Sequence, residues 1–532
     1  FRVYNVLQGS MFNRSKENEA IDLGLSLLKK LNCKFPKTRG AIALSTYTGI
    51  TRIKKRMESQ TFETELGKLP VLTDPWQLEA MHLLDRTSLY CIFSRGELVP
   101  LLVLKMVQLT MKYGLCEYSP PAFANLGLLL AGDDFEGAAK MADMTVKMMQ
   151  QIPCRNTKAR TILLLHWAVF PWSRPLRSSL QPFLNGYREG LSTGDTESGL
   201  WCIHNYISWG LLCGRNLSLL DDDSNTYLKH ILALEQQKIG KYTQMLRQMI
   251  LTFMGDPRGG SQIAVEDTDI SMEEEEKASA NSSTITTKVD PVAGLDEEEF
   301  NDEPLMLHAL KCYKNRMYTF FGQHEKSAEL SVERGDEFLN AFGGNCLHMG
   351  DQFYRALSLY AMARETQEPI DSSNPPGSNM CLSVGSSTTR GVDAKRFKLL
   401  AKQHHSTIKM WSKKGNLNVV HYERILDAEH AALKRHDKEA KTLYQNAIVM
   451  SAKAGFMQDA GLASERFALF LLHEVKDEEN AIFRFEQAIQ FYTEWGASPK
   501  ARMIKEKHSD LLALSKQAKV NKDEEQEEKV PE

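Results

Sequence analysis

The chain has 532 residues, of which 42% are hydrophobic, 25% charged and 9% aromatic, a balance that excludes a wholly disordered, collagen-like or coiled-coil chain. That length corresponds to about three or four globular units or one long repeat array. A formal net charge of −3 supplies no basic field for a nucleic-acid backbone or an anionic membrane, so no nucleic-acid partner is expected.

The chain opens on Phe1, and FRVYNVLQGSMF reads as the second half of a longer element, so a fragment of a larger polypeptide is expected. The first clear helix start is Thr73-Asp74-Pro75-Trp76-Gln77. Asp74 can accept the free first-turn amides, Pro75 needs no partner at the first helical position, and Gln77 stands at the capping-box position. Leu78, Met81, Leu84 and Leu89 then continue one apolar side. Helical periodicity recurs along the chain, including 158 to 170, 195 to 213 and 224 to 254, and no alternating run bounded by hairpin turns argues for a sheet. The longest uncharged stretch, Ser198 to Gly214, holds His204, Asn205 and Ser208 and reads as a buried helix, so no membrane span is expected. Nine cysteines are scattered singly without a CxxC pair or metal spacing, which points to a reducing compartment, most simply the cytoplasm.

Two stretches break the helical pattern. Between 266 and 303 there are 14 acids against 2 lysines, which leaves the rest of the chain mildly basic. Such a composition buries too little apolar surface to offset the entropy of ordering. The expected organisation is an N-terminal helical-repeat array over 1–255, a disordered acidic insert over 256–303 and further helical repeats over 304–365. A flexible loop over 366–392, C-terminal repeats over 393–515 and a charged tail over 516–532 complete it.

Internal repetition carries the fold class. EAKTLYQNAIVMSAKAGF aligns with ENAIFRFEQAIQFYTEWGA so that Ala440, Tyr444, Ala447 and Gly455 fall over Ala481, Phe485, Ala488 and Gly496, all 41 residues apart. The same spacing, a small residue, three between, a larger one and two between, recurs more loosely at Ala20-Gly24-Leu27 and Ala138-Ala142-Thr145. A small residue lets two helices of a hairpin approach, a larger one fills the groove to the next hairpin, and glycine ends the helix in a left-handed cap. The expected fold is all-α, an α-solenoid of stacked helical hairpins in a tetratricopeptide-like superhelix, with the acidic insert looped out.

No catalytic, cofactor-binding or metal-binding residue is expected. Gly132 to Gly137 has phosphate-loop glycine spacing but continues Ala138-Ala139 where Lys and Ser or Thr are needed, so a turn before a helix is the better reading. Gln323-His324-Glu325 and His473-Glu474 lack the companions of a phosphoacceptor helix, and His404-His405 lacks a ligand partner one turn away. The aromatic groups Trp167/Phe170/Trp172, Trp201/Tyr206/Trp209 and Phe491/Tyr492/Trp495 read as core. One surface feature stands out: Lys395, Lys398, Lys402, Lys409 and Lys413 fall within about 60° of one another at helical spacing, apart from an apolar seam of Phe397, Leu400, Ile408 and Trp411. This basic stripe is the candidate partner-binding surface for an acidic segment, the chain's own 266–303 included.

Four segments together carry a resemblance: LPVLTDPWQLEAMHLL, GYREGLSTGDTESGLWCIHNYISWGLLCG, MWSKKGNLNVVHYERILDAEHAAL and FYTEWGASPKARMIKEKHSDLL. In that order they resemble the tetratricopeptide-like helical-repeat region of large signalling proteins with a predicted AAA-type ATPase domain, of the hybrid serine/threonine kinase and histidine kinase type. The chain departs from that pattern in its two inserts and at Lys414-Gly415-Asn416. The resemblance implies a non-catalytic interaction and signal-relay module, whose partners are other proteins or flanking ATPase and kinase domains, with catalytic motifs outside this chain. The alternatives are a part of an ATP-dependent sensor kinase and a solenoid that binds a small effector.

Overall fold

The computed structural model describes residues 2–14, 16–59, 61–260, 291–301, 303–337, 345–366 and 387–513. These residues are all-α: among them there is no strand, and a lone bridge joins Val71 to Leu115. No helix among them is long and apolar enough to cross a membrane.

Local chemistry sets the helix ends. Asp74 caps the helix Pro75–Ser94, its Oδ1 accepting from the amides of Trp76 at 2.9 Å and Gln77 at 3.4 Å. Asp134 caps Phe135–Gln151 through the Gly137 amide at 2.8 Å, which gives the Gly132 to Gly137 segment its role as a turn and helix start. The helices Asp437–Ala454 and Glu478–Trp495 have equal length, begin 41 residues apart and end in Gly455 at φ 84° and Gly496 at φ 99°. Ala440, Ala447, Ala481 and Ala488 are wholly buried, as are Tyr444 and Phe485. The span 224 to 254, expected as one helix, is two: Leu217–Ala233 and Gln237–Met254 are separated by a turn in which Glu235 takes φ 56°. The helix expected over 158 to 170 runs only from Lys158 to Leu164 before widening into a π turn over Leu165–Val169 and tightening at Phe170–Trp172, where Pro171 has no amide to continue it.

Successive helices pack as hairpins, among them Leu180–Thr193 with Thr196–Leu212, Val420–Leu433 with Asp437–Ala454, and Met457–Phe470 with Glu478–Trp495. The hairpins after Ser387 then lie along the earlier ones in the same order. Lys414 donates to the Asp133 carbonyl, Leu176 N donates to Asn418 Oδ1, Arg177 donates to the Gly455 carbonyl, Gln458 to the Leu212 carbonyl, and Asn216 to the Glu494 carbonyl. These partners are 242 to 281 positions apart, and both members of each pair advance together along the chain. Trp172 meets Trp411 edge to face at 5.2 Å, and Phe253 meets Trp495 at 5.0 Å, so the seam is apolar at both ends. The helix caps sit on this seam: a Cβ on Gly455 would fall 2.8 Å from the Arg177 guanidinium carbon.

The helices Pro304–Phe320 and Leu347–Glu365 touch both sets. Tyr313 shares a 2.8 Å hydrogen bond with Ser208, and Arg316 donates to the Leu211 carbonyl at 3.2 Å. Phe353 stacks on Tyr422 at 4.1 Å.

The acidic insert ends earlier and begins later than its composition suggests. Pro257–Gly260 forms a tight turn, and residues 291–301 are packed, with Leu295 and Phe300 buried. Glu297 pairs with Lys314 at 2.9 Å and Lys311 at 3.4 Å, and Glu303 reaches Lys238 at 3.6 Å. Two apolar anchors and facing lysines offset the local charge excess, so these acids answer the helices beside them and not the stripe on 395–413. Residues 261–290 of the insert, 367–386 of the loop and 514–532 of the tail lie outside the described residues. The helix bearing the stripe begins at Ser387, inside the span read as loop, since Ser and Thr serve helix starts as readily as linkers.

Candidate functional site

The five stripe lysines lie on the helix Ser387–Lys413. Lys395, Lys402 and Lys413 are exposed, Lys398 is half-buried, and Lys409 is held 2.5 Å from Asp427. Asp427 also meets His405 at 3.2 Å. The seam behind them is formed as expected, with Ile408 and Trp411 buried. Leu399 and Met410 are exposed beside the lysines.

Of the histidines singled out above, His473 is exposed, whereas His324 and His404 are packing groups. His324 is buried against Ser358 at 3.2 Å, and His404 against Gln352 at 2.7 Å; burial holds both well below the usual imidazole range, to about 3 and about 4. Among the described residues no cluster of three or more His, Cys, Asp or Glu could hold a metal ion. The eight described cysteines are free and buried.

The feature with chemical content is a chamber of about 350 Å³ where three helices meet the turn 193–198. The helix Pro75–Ser94 supplies His82, Asp85 and Arg86, the helix Lys158–Leu164 supplies Arg160, and the first turn of Thr196–Leu212 supplies Glu197 behind its cap Asp195. Asp85 and Arg160 are 2% and 4% exposed and form an ion pair at 3.2 Å, strengthened by a 2.9 Å bond from Arg160 to the Asp85 carbonyl. Arg86 and Glu197 stand in no ion pair within 4.0 Å among the described residues. Asp85 Oδ1, Glu197 Oε1 and the Nε atoms of Arg86 and Arg160 are buried in the wall without a hydrogen-bond partner. Buried polar atoms without a protein partner also occur elsewhere, at Arg316, Arg334 and Arg355 among others; here four of them border one cavity.

Burial dominates the chamber's electrostatics. It pushes the Asp85 carboxyl up to about 6 despite Arg160 and Arg86, raises Glu197, and with Arg86 lowers His82. The His82 ring stacks on Tyr118 at 5.1 Å, closing one side. The wall therefore places guanidinium donors and carboxylate acceptors together around one cavity.

A second cavity, of about 80 Å³, lies beside the first and is lined mainly by apolar groups. Trp167, placed by the π turn, joins Trp201 and Trp209 there, so two of the aromatic groups read as core also line a cavity. Trp209 stays buried, and Phe170, Trp172, Tyr492 and Trp495 are core.

Neither a family model nor a curated protein matches this sequence.

Proposed function

We propose that the chain is a non-catalytic signal-relay module, an α-solenoid of tetratricopeptide-like hairpins wound into two layers, and that a small charged effector bound in the Asp85–Arg160 chamber sets its state. The observation that carries the reading is the chamber's incompletely paired wall of two arginines, Arg86 and Arg160, and three carboxylates, Asp85, Asp195 and Glu197. A repeat array supplies the relay, because each hairpin contacts its neighbours and a shift at one junction is passed along the stack. The exposed stripe lysines, with Leu399 and Met410 beside them, offer an acidic protein partner or flanking domain a surface distant in sequence from the chamber.

Equilibrium dialysis of the purified chain against a mixture of small polar metabolites, read by mass spectrometry, tests this. The wild type should retain at least one charged species that the Arg86→Gln, Glu197→Gln double variant releases; equal retention by both overturns the effector reading. Labelled ATP should not turn over. Turnover that a substitution in this chain abolishes would overturn the non-catalytic part.

A further inference from the structure

The polar chamber and the apolar cavity are separate cavities that adjoin at Leu89. The same three helices wall both, and on each the polar residues precede the apolar ones by one turn. Asp85 and Arg86 lead to Leu89 and Ile92, Arg160 to Leu163 and Leu164, and Ser198 to Trp201. One turn of helix rises about 5.4 Å. Leu89 lines both cavities and is their shared wall.

The charge of the first compartment narrows the head group. A dicarboxylate would leave the carboxylates of Asp85 and Glu197 facing like charge, and a diamine would do the same to Arg86 and Arg160. A group bearing one cation and one anion answers both, its ammonium toward Glu197 and Asp85 and its carboxylate toward Arg86 and Arg160. The second compartment narrows the rest: about 80 Å³ is several times the ~10–15 Å³ that one water requires, and an apolar lining favours an apolar guest. His204, Asn205, Ser208 and Tyr313 also border it, but His204, Ser208 and Tyr313 already bond protein partners through Thr243 at 3.2 Å and each other at 2.8 Å, and Asn205 bonds the Trp201 carbonyl at 2.8 Å.

The geometry points to a free amino acid with a large apolar side chain as the effector, its zwitterionic head in the charged chamber and its side chain past Leu89 among Trp167, Trp201 and Trp209. This rests on the effector reading above and adds the ligand's class.

Isothermal titration of the full chain with L-phenylalanine, L-leucine, glycine, phenylalanine amide and N-acetylphenylalanine tests it. Phenylalanine or leucine should bind at least tenfold tighter than glycine, and the two blocked forms, each missing one charge, should bind at least tenfold more weakly than phenylalanine. Arg86→Gln and Glu197→Gln, which leave the buried Asp85–Arg160 pair in place, should each remove most of the phenylalanine affinity. Ala309→Leu, which fills the apolar cavity, should erase the advantage of phenylalanine and leave glycine unchanged. Glycine binding as tightly as phenylalanine, or blocked forms binding as tightly as the free amino acid, overturns the inference. If no amino acid binds up to millimolar concentration while dialysis still yields a charged ligand dependent on Arg86 and Glu197, the inference falls and the effector reading stands. If dialysis yields none, both fall.

Discussion

Two groups of buried charge use the same residue types to opposite ends. In the C-terminal hairpins, Glu429 is wholly buried between Arg466, which donates at 2.7 and 3.0 Å, and Arg364 at 2.7 Å, with Glu474 answering the other side of Arg364. Burial alone would raise Glu429, but the two guanidinium groups outweigh it and hold the carboxyl down at about 2. Around Asp85 burial wins instead, and the carboxyl stands at about 6. The difference lies in completeness: Glu429 has both oxygens bonded, whereas Asp85, Arg86, Arg160 and Glu197 in the chamber wall each keep a buried atom unpartnered. A saturated charge cluster fixes helices to one another; an unsaturated one beside a cavity has capacity left for a guest.

The largest expected effect falls on the saturated cluster. Glu429→Ala leaves two arginines buried without their carboxylate and should cost about 3–5 kcal/mol in urea denaturation. A loss under about 1 kcal/mol would show that water reaches the site and that the two clusters do not differ in kind.

Next in size is a contrast in pH dependence. Asp85 holds its proton more tightly folded than unfolded, its ordinary value being 3.8 against about 6 in the fold. Raising the pH from about 4 to about 6 should therefore destabilise the wild type by roughly 2 kcal/mol relative to Asp85→Asn, with the divergence levelling off by about pH 7. Glu429 has the opposite sign: its contribution is present above its ordinary 4.5 and is lost as pH falls toward about 2. Stability curves for wild type and both variants against pH check this, and parallel wild-type and Asp85→Asn curves between pH 4 and 6 would remove Asp85 from the buried chamber.

The smallest effect is expected at Glu197. Its charge is already disfavoured by burial and it belongs to no close ion pair, so Glu197→Gln should change stability by at most about 1 kcal/mol in either direction. A loss comparable to that of Glu429→Ala would make the chamber a structural cluster like the other.

Much of the helical framework was legible because its signals are local. The Asp74 cap, the 41-residue offset and the glycine stops at 455 and 496 each depend on residues within a few turns of one another. The chamber is assembled from Asp85, Arg160 and Glu197, which share no spacing, and charged residues in a sequence read by default as solvated. A faint cue was present in Asp85-Arg86, which interrupts the apolar runs MHLL on one side and SLYCIF on the other, a costly place for charge unless it is paired or used. The pairing of early and late hairpins had no cue, since hydrogen bonds such as that of Gln458 to Leu212 depend on how the whole chain winds. The packed stretch 291–301 was misread because net charge outvoted its two buried anchors, Leu295 and Phe300.

The seam between early and late hairpins also bears on how such a chain can change length. Repeat arrays ordinarily gain or lose whole units, because each unit meets only its neighbours in sequence. Here Asn418 serves Leu176, Gln458 serves Leu212 and Asn216 serves Glu494, a ladder of contacts in fixed order. Duplicating one hairpin on either side would slide every later rung out of alignment, placing side chains where the glycine caps now give clearance. Growth by duplication is thereby confined to matched changes on both sides, and the number of hairpins becomes an inherited constant of the architecture.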